Sequence, residues 1–108
     1  MTLLIYGLKN CDTCRKAMKA LPEAQLKDVR KDGVPDALLQ KALSKFGNAL
    51  VNTRSTTWRG LSEAERSAAP EVLLKAHPAL MKRPMIVSSE ELFLGWSKEL
   101  EVEVKAML

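Results

Sequence analysis

YGLKNCDTCRKAMKAL, residues 6–21, holds both cysteines of the chain, Cys11 and Cys14, in one C-x-x-C. Such a pair is open to three readings: a redox couple, half of a metal site, or two small apolar residues that lie close. The flanking pattern speaks first to the fold. TLLIY, just upstream, is a short apolar run ended by Gly7 and reads as a buried strand. After the cysteine loop, Cys14, Ala17, Met18 and Leu21 recur at i, i+3, i+4 and i+7, one face of a helix that Pro22 stops. AQLKDVR, residues 24–30, alternates weakly and is expected to form a second strand before a turn at KDG.

The middle of the chain is helical in pattern. Asp36 is expected to cap a helix in which Leu38, Leu39, Ala42, Leu43 and Phe46 share a face, with Gly47 at its end. Ser62 and Glu65 stand at capping-box spacing for a further short helix. Pro70 suits the first turn of PEVLLKAH, and Pro78 ends it. Between these, NTRSTTWRG, residues 52–60, lacks periodicity and reads as a loop. Near the C-terminus MIVS and LFLG flank SEE, a hairpin signal. Ser97 then caps a last helix carrying Leu100, Val104, Met107 and Leu108 on one side.

The expected order is strand, helix, strand, several helices, strand, strand, helix. The βαβ half pairs in parallel, and the hairpin extends the sheet antiparallel. That is an α/β, thioredoxin-like fold with a mixed four-stranded sheet and an inserted helical subdomain. The insertion falls at approximately residues 35–80 of a single domain spanning 1–108. C-x-x-C beside a βαβ pattern is itself a cue for this fold.

The totals narrow the chemistry. The chain has 108 residues, the size of one compact domain. No apolar run approaches the ~20 residues that cross a bilayer. MTLLIYGLKN lacks a basic leader and a long apolar segment, so export is not expected. A cytoplasmic setting is expected instead, and in a reducing compartment C-x-x-C points to catalysis or metal binding. The metal reading fails on ligand count, because structural zinc takes four ligands and the chain offers two Cys and one His. The net charge of +4 gives a mildly basic surface, with a small anionic ligand as the sharper reading. One Tyr, two Trp and two Phe are thin material for a stacking surface, so nucleic acid is not favoured.

If the first helix begins near Asp12, Cys11 lies at its N-terminal edge. Unpaired N–H groups and the positive end of the helix dipole meet there. A thiolate is stabilised at such a position, and the thiolate is the nucleophile. Lys9, Arg15 and Lys16 push the same way, weakly, because exposed charges are screened. Cys14 begins the apolar face. Two readings stay open for it: a resolving thiol three residues from the attacking one, or a small core residue inert as a thiol.

In order, YGLKNCDTCRKAMKAL, KDVRKDG, NTRSTTWRGL, MKRPMIV and LFLGWS resemble the ArsC-like (arsenate reductase and Spx) family. Within that family the chain looks most like the small YffB-type thiol reductases. The resemblance implies a thioredoxin-like fold with a helical insertion. It makes Cys11 the catalytic cysteine, and Arg54 and Arg83 the arginines of an oxyanion or substrate pocket. It makes Pro84 the proline, usually cis, whose preceding backbone lies beside the active sulfur. Guanidinium groups suit carboxylates and oxyanions through paired donors. Two positions depart from the arsenate reductases proper. Gly7 stands where those carry a histidine, and Gly95 and Trp96 stand where an arginine follows the last strand. A missing charged hydrogen bond forfeits about 1.5–3 kcal/mol, which argues against efficient arsenate reduction.

The expected function is therefore glutathione-dependent thiol/disulfide reduction, with Cys11 as nucleophile and Cys14 as candidate resolving thiol. No bound cofactor is expected; glutathione is the expected co-substrate, and glutaredoxin a candidate partner. Two alternatives accompany it. One is arsenate reduction coupled to glutathione or glutaredoxin. The other is an Spx-like, redox-sensing regulator that binds RNA polymerase.

Overall fold

Leu3–Gly7 forms β1, the strand on which the sheet is built. The computed structural model describes residues 3–89 and 91–107. They fall into two compact units: Gly33–Lys82, and the flanking segments up to Asp32 and from Arg83. In the flanking unit β1 lies between β2, Gln25–Asp28, and β3, Met85–Ser88, with β4, Glu91–Leu94, outermost. β1 runs parallel to β2 in the register Ile5↔Leu26 and Gly7↔Asp28. It runs antiparallel to β3, with Ile5 opposite Ile86 and Tyr6 opposite Met85. β3 and β4 pair antiparallel, Met85 opposite Leu94. The arrangement is the thioredoxin-like mixed sheet.

Helix α1, Asp12–Ala20, supplies the crossover between β1 and β2. Its face works as the spacing predicts: Cys14, Ala17 and Leu21 are buried, and Met18 packs against the same core at its margin. The N–H of Leu21 donates to the carbonyl of Ala17 at 2.9 Å and closes the helix before Pro22. Helix α6 in this unit, Lys98–Ala106, starts on Ser97, whose hydroxyl accepts from the N–H of Leu100 at 3.1 Å. Of its apolar side, Val104 is buried and Leu100 half-buried, while Met107 is exposed. Leu108 lies outside the described residues. Leu3, Ile5, Ala17, Leu21, Ala24, Ile86 and Val104 form one apolar cluster, and Trp96 packs against it.

One detail of the hairpin differs from the expectation. Glu91 belongs to β4, paired with Ser88, and not to the turn. Ser89 takes φ 54°, the left-handed conformation that a two-residue hairpin turn demands. Glu90 lies outside the described residues.

The unit Gly33–Lys82 contains α2, Asp36–Phe46; α3, Thr56–Arg59; α4, Glu63–Arg66; and α5, Pro70–Ala76. Single 3₁₀ turns at Gly47–Leu50 and Pro78–Leu80 follow α2 and α5. The unit is tied at its base. Asn52 N–H donates to Leu80 O at 2.7 Å, and Lys82 N–H to Leu50 O at 2.8 Å, around a bridge between Val51 and Met81. Leu39, Ala42, Leu50, Leu73, Leu74, Leu80 and Met81 are its buried side chains nearest zero exposure.

Here the sequence reading is corrected twice. Asp36 is the first helical residue of α2 rather than its cap; Pro35 holds the cap position and makes no side-chain cap bond. Placed inside the first turn, the carboxylate of Asp36 favours the helix dipole and lies 3.6 Å from Lys75. NTRSTTWRG is not all loop. Thr56–Arg59 makes one helical turn, capped by Ser55, whose hydroxyl accepts from Trp58 N–H at 3.1 Å. The capping box of α4 forms in full: Glu65 N–H donates to Ser62 Oγ, and Ser62 N–H to Glu65 Oε1.

Candidate functional site

The cysteine loop is shaped by its backbone. Cys11 N–H donates to Leu8 O at 3.1 Å, and Arg15 N–H to Cys11 O at 2.9 Å. Cys11 therefore takes the N-cap position of α1 with an extended backbone, φ −87° and ψ 124°. An N-cap side chain ordinarily offers an oxygen to the N–H groups two and three residues on. As a thiol Cys11 makes no such bond. As a thiolate its sulfur is the acceptor, and the groups facing it are the N–H groups of Cys14 and Thr13.

Both cysteines are free thiols, and their surroundings drive them apart in acidity. Partial burial pushes Cys11 up. That is outweighed by the Cys14 N–H, the Cys14 thiol donating to the sulfur, the Arg83 guanidinium and the Thr13 N–H, so Cys11 lies below its ordinary 9.0. Cys14 is 1% exposed. Burial first, then the adjacent Cys11 sulfur, holds its proton on and pushes it up to about 11, although Leu8 N–H and Arg83 pull the other way. One thiol is poised to attack while its neighbour stores a proton.

Alkylation resolves the pair. Since only the thiolate reacts, a lowered pKa moves reactivity to lower pH and a raised one to higher pH. Iodoacetamide is expected to modify Cys11 with a midpoint below pH 9.0, whereas Cys14 resists until the pH nears 11. In Arg83→Gln the Cys11 midpoint moves upward, because a cation that favours the thiolate is gone. Peptide mapping of the alkylated sites across a pH series decides it, and equal midpoints for the two cysteines would contradict this assignment.

The expected residues are placed as follows. Cys11, Cys14, Arg83 and Pro84 all belong to the sheet unit. The Arg83–Pro84 peptide bond is cis, and Pro84 is buried. Pro84 O accepts from Gly95 N–H at 2.8 Å, which fixes the bend at the start of β3. Arg83 is half-buried, with its charge felt at both sulfurs. Arg54 belongs to the helical unit, where it is exposed. Its N–H donates to Asn52 Oδ1 at 3.0 Å, and the residue lines a polar groove of about 400 Å³ with Asn52, Thr53 and Lys82. Lys82 went unread in the sequence, where a lone lysine carries no signal. The N–H of Leu8 was also missed, since backbone donors become visible only once the loop has a shape.

Among the described residues, no group of three or more His, Cys, Asp or Glu could hold a metal ion. His77 closes α5, its Nε2 3.8 Å from Glu65 Oε2. No helix of the described residues is long and apolar enough to cross a membrane.

Fold and cysteine loop together define a thioredoxin-like domain that presents a thiol at the start of its first helix. The model of the ArsC family matches residues 6–104, and the chain belongs to that family. A Haemophilus influenzae protein described as uncharacterized is 38% identical over 106 residues, covering 90% of this chain and 93% of the relative. Global transcriptional regulator Spx 2 of Bacillus cereus is 24% identical over 107 residues, covering 90% and 82%. The solved structure of a YffB protein superposes with a TM-score of 0.85 at 27% identity, over 95% of this chain and 98% of that one.

Proposed function

We propose that the chain is a thiol/disulfide reductase that uses glutathione. The observation that carries this reading is Cys11 at the N-cap of α1, facing the N–H groups of Cys14 and Thr13 with the Arg83 charge nearby. Membership of the ArsC family supports it.

The Cys11 thiolate attacks one sulfur of a disulfide, forming a mixed disulfide and releasing the other half as a thiolate. This removes the negative charge from Cys11. Two of the causes that hold the proton on Cys14, the hydrogen bond to Cys11 and its charge, then vanish. The acidity of Cys14 rises at the point in the cycle where a second thiolate is required. It attacks the Cys11 sulfur, forms the Cys11–Cys14 disulfide and expels the remaining thiolate; two glutathiones then restore both thiols and leave as oxidised glutathione. Arg83 suits a substrate carboxylate, and Arg54, exposed on the helical unit, has the donors for an anion too.

Intact mass after oxidised glutathione is added to the reduced protein tests the reading, with Cys14→Ser as comparison. A glutathione adduct on Cys11 is expected in Cys14→Ser, and loss of two hydrogens in the wild type. Neither product in either protein would overturn the proposal.

Similarity to Spx 2 favours a second reading, a regulator that uses the same two thiols as a redox switch and binds RNA polymerase. Capture of polymerase by one redox state alone is its distinguishing result. Arsenate reduction is the weaker alternative, since Gly95 and Trp96 supply no cation after β4.

A further inference from the structure

β1 ends on Gly7, and the reason for a glycine there is not its backbone. Gly33, Gly47 and Gly95 have positive φ; Gly7 does not. Any residue could adopt its conformation, so the requirement is for space. A Cβ at residue 7 would run into Cys14 Sγ, would stand 3.4 Å from Cys14 Cβ and would lie 3.9 Å from Pro84 Cβ. The Cys14 sulfur occupies the volume that a side chain on residue 7 would fill.

The strand beneath cannot give way. Gly7 is paired with Asp28 on β2, and its carbonyl accepts from Val29 N–H at 3.1 Å. On the other side Tyr6 is paired with Met85. Cys14 is equally held, at the buried start of the α1 face. With both backbones fixed, an added methyl group is accommodated by turning the Cys14 side chain to another rotamer, and so by moving its sulfur.

We propose that Gly7 is the positioning residue of the dithiol: its missing side chain is the seat from which the Cys14 sulfur reaches Cys11. The proposal rests on the reductase reading for its chemistry. In the step concerned, Cys14 is deprotonated and attacks Cys11 of the Cys11–glutathione disulfide. The Cys11–Cys14 bond forms and the bond to glutathione sulfur breaks. Glutathione leaves with the electron pair and takes up the proton, so Cys14 is oxidised as glutathione is reduced.

The test follows full-length protein by acid-quenched intact mass after oxidised glutathione is added. In Gly7→Ala the Cys11 adduct is expected to accumulate, because its conversion to the internal disulfide slows by about 100-fold, the penalty of a displacement near 1 Å. The alkylation midpoint of Cys11 in Gly7→Ala should also move to the value found in Cys14→Ala, since the same thiol donor has been taken away. Stability gives an independent readout. The double variant Gly7→Ala, Cys14→Ala vacates the sulfur's volume and should melt higher than Gly7→Ala alone, even where the single variant does not fold. An internal disulfide formed in Gly7→Ala at the wild-type rate would overturn the seat, as would a double variant no more stable than the single. If the wild type forms no adduct or disulfide at all, the reductase reading fails, and the melting comparison still judges the seat.

Discussion

Cys11→Ser is expected to lose thiol transfer to a disulfide substrate by about three orders of magnitude or more, close to the full contribution of a nucleophile. The alkoxide that would have to replace the thiolate is not formed near neutral pH. Neither the N–H groups of Thr13 and Cys14 nor the Arg83 charge can make up so large a difference in acidity. Stability should move the other way. Serine is among the preferred N-cap residues, and its hydroxyl accepts from the N–H groups at the start of α1 without first ionising. The variant should melt at or above the wild-type temperature, by the few tenths to ~1 kcal/mol that a good cap contributes. An inactive but fully folded protein is therefore the expected outcome, measured by initial rates of glutathione-coupled reduction alongside a thermal scan. Full transfer by Cys11→Ser would remove Cys11 from the chemistry.

Ile5→Ala should be the most damaging single truncation in the sheet unit. Ile5 has no exposed surface and sits on the strand flanked on both sides, opposite Leu26 and Ile86. Its side chain belongs to the cluster that joins β1 and β3 to α1 and α6. Removing three carbons from such a site costs about 2–5 kcal/mol through lost burial and the cavity left behind. Against a total of roughly 5–15 kcal/mol for a domain, that is a large share. With a urea slope of about 1–3 kcal/mol/M, the midpoint should fall by roughly 0.7–5 M at constant slope. Val102→Ala, on the 68% exposed outer face of α6, should change stability by less than about 0.5 kcal/mol. Similar midpoints for the two variants would mean that β1 is not the spine of this core.

The elements that the sequence made legible are those with repetition or a polar cap. Cys14, Ala17 and Leu21 repeat over two turns of α1, and Ser62 with Glu65 spells out a capping box at fixed spacing. Thr56–Arg59 escaped because a single turn is too short to show a period; Ser55, three residues before Trp58, was the one signal available. Asp36 misled because acidic residues are favoured both at the cap and just inside it. At the site, the position of Cys11 followed from the helix start. The approach of Arg83 followed only from the family resemblance, since no local pattern ties residue 83 to residue 11. The fit between Gly7 and Cys14 was invisible, because the two meet across the strand–helix turn and only their volumes reveal it.

The sheet order also has a consequence for synthesis. β1 and β2 are neighbours in both chain and sheet, so they can pair while most of the protein is still unmade. The opposite edge of β1 waits for Met85–Ser88, and the same late segment brings Arg83 to the sulfurs and Pro84 to the Gly7–Cys14 contact. A chain that has made only β1, α1 and β2 thus has the Cys14 and Thr13 N–H groups beside Cys11 but not yet the Arg83 charge. The last increment of Cys11 acidity therefore arrives only when the final third of the polypeptide docks and brings its cation to the loop.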